Sequence, residues 1–300
     1  MANGQALAAK RAARVMLIGF PGAGKTGACV SLLNAGYKLR VLDYDGNFDP
    51  LIQYAKPDKL ANLDIVSLKD PLRAGNKYIE VAGLPEAFNR GLKLMKEWKY
   101  TDEATGQEVN LGASKDWGPD TVLVLDSLTS MGVAAFRRTM AMMNKTPLNG
   151  TQQMWGVAMA DQDAFVEALT DPKNRFHVVV LSHKKMIAPK ETTPSDAGTA
   201  NEEIKKEKAE LIPVRFYPSA LGQGLPTTIG GRFPTILEIE AETKPSGAIV
   251  HHIKASPRPD LDLKIPVPEL PKSLTVEDDG LLKVFDLLTA GTKANLAVGS

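Results

Sequence analysis

Eight residues constrain this chain more than any others: Gly19-Phe20-Pro21-Gly22-Ala23-Gly24-Lys25-Thr26. They fit the spacing G-x-x-x-x-G-K-[ST]. An apolar run, Val15–Ile18, precedes them, and a helical pattern, Lys25–Ala35, follows and stops at Gly36, a suitable residue just past a helix end. Between a strand and a helix, glycines let successive backbone N–H groups turn inward around an anion. Such a loop needs a buried strand feeding directly into a helix, which points to an α/β fold. A chance glycine-rich turn would lack both flanks. In this reading Gly19, Pro21, Gly22, Ala23, Gly24, Lys25, Thr26 and Gly27 cradle a nucleotide. Lys25 reaches the β- and γ-phosphates, and Thr26 Oγ1 is a ligand for Mg²⁺. Cys29, one turn on, reads as a small buried residue.

The rest of the pattern agrees. Val15–Ile18, Leu39–Leu42, Leu63–Val66, Thr121–Leu125 and His177–Leu181 are short continuous apolar runs, as expected of strands covered on both faces. Helical patterns at Lys25–Ala35, Pro85–Lys99, Val133–Met143 and Asp161–Leu169 lie between them. The alternation predicts right-handed βαβ units: a mostly parallel sheet with helices on both faces. Pro234–Ile253 has strand-like content and predicts a C-terminal antiparallel extension. The expected organisation is an N-terminal arm (1–13), one α/β core (14–255) with polar insertions at 101–120 and 184–210, and a Pro-rich extended tail (256–300). Thr275 is positioned to cap a short helix through Leu281, Leu282, Phe285 and Leu288.

Composition narrows the function. Thirty-six Lys and Arg against 35 Asp and Glu leave a net charge of +1, which excludes a protein held to nucleic acid by global charge. A single cysteine, Cys29, excludes an intramolecular disulfide framework and a multi-cysteine zinc site. No apolar run approaches the roughly 18 residues of a membrane span. The expectation is a cytoplasmic protein without a membrane partner.

Hydrolysis requires an acid that organises Mg²⁺ and a group that orients water. Three strand ends supply candidates, and ligands of α/β sheets bind at the carboxyl ends of strands. Thr121–Leu125 runs into Asp126, the candidate to hold Mg²⁺ with Thr26. Leu39–Leu42 runs into Asp43-Tyr44-Asp45, where either acid is placed to orient or deprotonate the attacking water. Val178–Leu181 runs into Ser182-His183, either of which can hydrogen-bond a γ-phosphate. A guanine-reading N-K-x-D is missing: the Asn-Lys pairs continue as Asn76-Lys77-Tyr78-Ile79 and Asn144-Lys145-Thr146-Pro147. ATP is therefore the expected nucleotide. An Arg-rich lid is not evident either, which leaves a small-molecule kinase as a minor alternative.

Together these motifs resemble the RecA/RadA-like core of P-loop ATPases, and most closely its compact phage-encoded members of AAA type, related to single-strand annealing and recombination ATPases. Val41-Leu42-Asp43-Tyr44-Asp45-Gly46-Asn47-Phe48-Asp49-Pro50 is similar to the family's acid-x-acid strand end, with Asp45 at the place of the usual catalytic Glu. Val122-Leu123-Val124-Leu125-Asp126-Ser127 resembles the Walker B strand. Val178-Val179-Val180-Leu181-Ser182-His183 resembles the γ-phosphate sensor strand, with His183 as sensor. The resemblance implies a RecA-like fold and a Mg²⁺-dependent ATPase whose catalytic set is Lys25, Asp45, Asp126 and His183. It implies action on single-stranded DNA in recombination, annealing or replication, in a host cytoplasm if the chain is phage-encoded. The DNA would be held through loop 184–224, with Lys184, Lys185 and the Arg215-Phe216-Tyr217 cluster, and a second contact at Asn144–Gln153. It also implies a ring or filament of identical subunits completed by a trans finger, Lys254 or Lys264, neither of which stands in a Lys-x-Arg sequence. The alternative is a nucleotide-switched assembly or packaging protein that makes no DNA contact.

Overall fold

Strands that are apolar on both faces need helices on both faces, and that requirement orders this molecule. The computed structural model describes residues 12–75, 79–102, 105–144, 150–187, 215–256 and 258–297. In chain order the elements begin β1 (Arg14–Gly19), α1 (Lys25–Ala28), α2 (Val30–Asn34), β2 (Lys38–Asp43), α3 (Asp49–Gln53) and β3 (Leu63–Ser67). A hairpin, β4 (Leu72–Ala74) and β5 (Ile79–Val81), leads to α4 (Ala87–Lys96) and a second hairpin, β6 (Glu97–Thr101) and β7 (Glu108–Ala113). Then come β8 (Thr121–Asp126), α5 (Leu128–Met142), α6 (Gln152–Thr170), β9 (His177–Ile187), β10 (Arg215–Pro218) and α7 (Leu225–Thr228). The chain closes with β11 (Thr235–Thr243), β12 (Ile249–Lys254), β13 (Ser273–Thr275) and α8 (Gly280–Ala297).

Nine strands form the main sheet, in the order β13-β12-β11-β1-β9-β8-β2-β3, with β10 paired to the far end of β9. The six strands from β11 to β3 are parallel. β12 and β13 extend the sheet antiparallel. One face packs Met16, Ile18, Leu123, Leu125, Val178 and Val180 against α4, α5 and α6. The other packs Val15, Leu17, Val122, Val124, Val179 and Leu181 against α1, α2 and α8. The fold is therefore α/β with a mostly parallel sheet, helices on both faces and an antiparallel C-terminal extension. Among the described residues no helix is long and apolar enough to cross a membrane.

Register sets the site. Gly19 pairs with His183 on β9, and Asp43 pairs with Asp126 on β8. β9 lies between β1 and β8, so His183 stands between the end of β1 and Asp126.

Several boundaries differ from the sequence reading: α5 and α6 begin earlier than the expected Val133 and Asp161, and three further differences have a packing reason. The helix expected to reach Lys99 ends at Lys96, because Trp98 is fully buried and its Nε1 donates to Asp64 Oδ1 at 2.6 Å. The backbone there enters the β6–β7 hairpin, whose second strand lies in the region read as an insertion, 101–120. Thr275 does not cap the C-terminal helix: it lies in β13, and the helix begins at Gly280, where a Cβ would meet the Thr275 carbonyl oxygen at 2.5 Å. The Pro-rich stretch read as an extended tail packs onto the sheet, with Leu261, Leu263 and Leu270 buried and Lys264 N donating to Ile236 O.

α8 is anchored by Leu281, Val284 and Phe285, all fully buried. Phe285 meets Tyr37 and His177 edge-on, at ring-centroid distances of 6.0 and 5.4 Å. Phe285→Ala is expected to cost about 3–5 kcal/mol, measured as a lowered urea midpoint. A change under about 1 kcal/mol would mean that the C-terminal helix is not integral to the core.

Candidate functional site

The loop after β1 has the conformation its glycines allow. Gly22 and Gly24 have φ of 77° and 89°, in the left-handed region that L side chains rarely adopt. Gly19 serves close packing instead: an added Cβ would lie 2.5 Å from the carbonyl oxygen of Ile239 on β11. Lys25 is buried, and its Nζ donates to the carbonyls of Gly19 at 3.0 Å and Phe20 at 2.9 Å. Burial lowers the Lys25 pKa, and the nearby charges of Asp126 and Asp45 oppose that shift.

Thr26 Oγ1 donates to Asp126 Oδ2 at 2.7 Å, joining residues 100 apart in sequence. Asp126 is 4% exposed. Burial pushes its carboxyl up to about 7; Thr26 and Lys25 oppose the rise, while Asp45 and Asp43 add to it. The Asp126–Ser127 peptide is cis. Ser127 caps α5 by accepting from Ser130 N and donates its own hydroxyl to Asp45 Oδ1 at 3.0 Å.

The two open choices at strand ends are resolved by direction. Asp43 is buried and folds into its own turn, where Oδ1 accepts from Asp45 N at 3.1 Å and Gly46 N at 2.6 Å. Burial raises its pKa, and those backbone bonds oppose the rise. Asp45 faces the cleft, with Oδ2 3.8 Å from His183 Nε2. Ser182 is fully buried and donates to the His183 carbonyl, leaving His183 as the cleft-facing residue. Burial and the Lys25 charge lower the His183 pKa, against the pull of Asp45.

These groups share one cleft of about 1190 Å³. Pro21, Gly22, Gly24, Lys25, Thr26, Gly27, Asp45, Asp126 and His183 all line it. Gly19 and Ala23 do not; Ala23 is buried behind the loop. The cleft has a second wing that the sequence reading missed. Pro50 and Tyr54 come from α3 and its end, Ile249 and His251 from β12, and Val276, Glu277 and Asp279 from the turn before α8. Lys69, just beyond β3, lines it too. Only the Asp49-Pro50 dipeptide after the second strand hinted at this wing; nothing in the sequence around His251 or Glu277 marks them.

Residues expected to contact nucleic acid are partly engaged elsewhere. Lys184 is almost fully buried, ion-paired to Glu238, and its Nζ stands 4.2 Å from the Phe216 ring centroid and 5.2 Å from that of Phe20. Lys185 Nζ donates to Gly222 O at 3.1 Å. Arg215 is exposed and lies 3.9 Å from Asp262. Residues 188–214 of the expected 184–224 loop, and 145–149 of the other, lie outside the described residues. Lys254 and Lys264 do not line the cleft, and Lys264 Nζ donates to Gly230 O at 2.8 Å. Cys29 is buried, as expected of a small core residue, and burial raises its thiol pKa.

Among the described residues no group of three or more His, Cys, Asp or Glu is arranged to hold a metal ion. Mg²⁺ does not need one: it keeps several waters and binds through one or two protein oxygens plus substrate phosphates. Thr26 Oγ1 and Asp126 Oδ2 are two oxygens of the kind such a site uses. No family model matches the chain, and no curated protein is similar to it.

The sign of the Asp126 effect is testable. Its folded pKa, about 7, lies above the ordinary 3.8. Between those values the folded state retains a proton that the unfolded state has released, so the contribution of Asp126 to stability falls as pH rises from about 4 to about 7. Asp126→Asn keeps an acceptor for Thr26 and removes the buried charge. At pH 8 without ligands it is expected to stabilise the protein by roughly 1–3 kcal/mol, and at pH 4 by little, read by denaturant unfolding at both pH values. Equal effects at the two pH values would contradict the assignment.

Proposed function

We propose that this protein is a Mg²⁺-dependent ATPase with a RecA-like core. The observation that carries the reading is the Thr26–Asp126 hydrogen bond, which joins the Gly-x-x-x-x-Gly-Lys-Thr loop to a buried acid at the end of another parallel strand. Asp45 and His183 on the same cleft support hydrolysis rather than nucleotide binding alone. The second wing, with Pro50, Tyr54, Ile249 and Val276, offers apolar surface for a nucleoside.

The roles follow from position. Backbone N–H groups of Gly22 and of residues 24–26 surround the phosphate chain, while the Ala23 N–H donates to the Phe20 carbonyl. Lys25 exchanges the Gly19 and Phe20 carbonyls for phosphate oxygens and stabilises charge on the transferred group. Thr26 and Asp126 would hold Mg²⁺, which would neutralise phosphate charge. Asp45, fixed by Ser127, orients water for in-line attack and takes up its proton. His183 reads the γ-phosphate from between β1 and β8.

The resemblance adds single-stranded DNA as partner and an assembly of identical subunits. The inward turn of Lys184 and Lys185 favours a second reading, a nucleotide-switched assembly protein without DNA contact. ATP turnover with and without single-stranded DNA separates the two: stimulation supports the first, and no stimulation together with no salt-dependent DNA retention supports the second.

Lys25→Ala is expected to lower ATP turnover at least 100-fold, and turnover that survives it would remove the site assignment. Asp45→Asn is expected to lower turnover about 10²–10⁴-fold while sparing nucleotide affinity. An equal loss of affinity would make Asp45 a metal-site residue instead.

A further inference from the structure

β12 and the turn Val276–Asp278 are joined by one pair of side chains. His251 Nδ1 lies 2.7 Å from Glu277 Oε1, and His251 N donates to the same carboxylate at 3.2 and 3.3 Å. Partial burial pushes the Glu277 carboxyl up, but its bonds to His251 and to backbone N–H groups outweigh this and leave it below the ordinary value. Glu277 is thus a carboxylate that fixes both the backbone and the ring of His251.

The fixed ring lies against the phosphate-binding loop. A Cβ added at Gly24 would sit 2.7 Å from His251 Cδ2 and 2.8 Å from Cγ, so only glycine fits beneath the imidazole. Nε2 is bonded to Cδ2 and sits on the ring edge away from Nδ1. It is therefore the ring nitrogen that Glu277 leaves open, on a ring whose Cγ–Cδ2 edge packs against Gly24. Both residues line the cleft, and among the described residues Nε2 makes no hydrogen bond. A ring oriented through one nitrogen, with the other left for a ligand, is the arrangement by which second-partner carboxylates orient histidines in binding sites.

We propose that His251, oriented by Glu277, binds the phosphate chain of the nucleotide through Nε2, so that the C-terminal extension supplies part of the nucleotide site within the same subunit. The inference rests on the nucleotide-binding reading given above. As an imidazolium the ring donates from both nitrogens at once, Nδ1–H to Glu277 and Nε2–H to a phosphate oxygen. The ring's packing against Gly24, one residue before Lys25, sets it beside the loop that would cradle the phosphates.

Two isosteres separate ligand binding from a merely structural tie. His251→Gln places an amide nitrogen near the Nε2 position and gives up the Nδ1 bond. His251→Asn retains a group near Nδ1 for Glu277 and removes the Nε2 position. Dissociation constants for MgADP and for inorganic tripolyphosphate, measured by calorimetry on the full chain, decide between them. The expected result is that His251→Asn weakens both ligands about tenfold or more while His251→Gln binds within about threefold of the parent. The inference is overturned if His251→Asn binds as the parent does, if both substitutions weaken binding alike, or if the loss is confined to MgADP. Absence of binding by the parent chain would instead sink the nucleotide reading itself.

Discussion

A hydroxyl–carboxylate bond in a nearly dry setting holds the centre of this molecule together. Thr26 Oγ1 donates to Asp126 Oδ2, and Asp126 is surrounded by the buried ends of β2 and β8. Burial pushes that carboxyl up to about 7, against the pull of Thr26 and Lys25. Everything close to it bears on that charge: Thr26 and Lys25 from the loop pull its pKa down, and Asp43 at the end of β2 and Asp45 just beyond it push it up. The Gly19–Thr26 loop and the β8 strand end therefore form one electrostatic unit.

The near-zero net charge hides strong local pairing. Lys184, Glu238, Arg258, Glu240 and Asp260 form a connected chain of ion pairs, with Lys184 and Glu238 almost wholly buried. Removing one member of such a chain leaves an unpaired buried charge, which costs far more than an exposed pair contributes. Phe20 of the loop and Phe216 of β10 flank the Lys184 ammonium. Residues whose charge looked available to an external partner thus tie the loop tip to β9 and β10.

The C-terminal region has a role its composition conceals. Prolines at 257, 259, 266, 268 and 271 suggest an extended tail, yet the chain returns to add β13 to the sheet and α8 to its face. That return brings Val276, Glu277 and Asp279 to a cleft whose other wall was built some 250 residues earlier. Proline shapes such a return without forbidding it, because its fixed φ suits irregular segments lying along a sheet edge.

The sequence alone determined the layered α/β class, the loop of residues 19–26 and the acid at the end of β8, because these depend on local patterns: continuous apolar runs, glycine at backbone positions only glycine adopts, and a lysine and threonine at fixed spacing. It also narrowed the remaining strand ends to pairs. Tertiary structure decided which of Asp43 and Asp45, and which of Ser182 and His183, faces the cleft, since one member of each pair turns into its own backbone and only packing decides which. It alone drew Trp98 out of a helix, buried Lys184, and set His251 against Gly24 beneath the reach of Glu277. Those contacts join residues whose neighbours in sequence carry no trace of one another; they exist because closing a sheet with helices on both faces brings distant strand ends to a single edge.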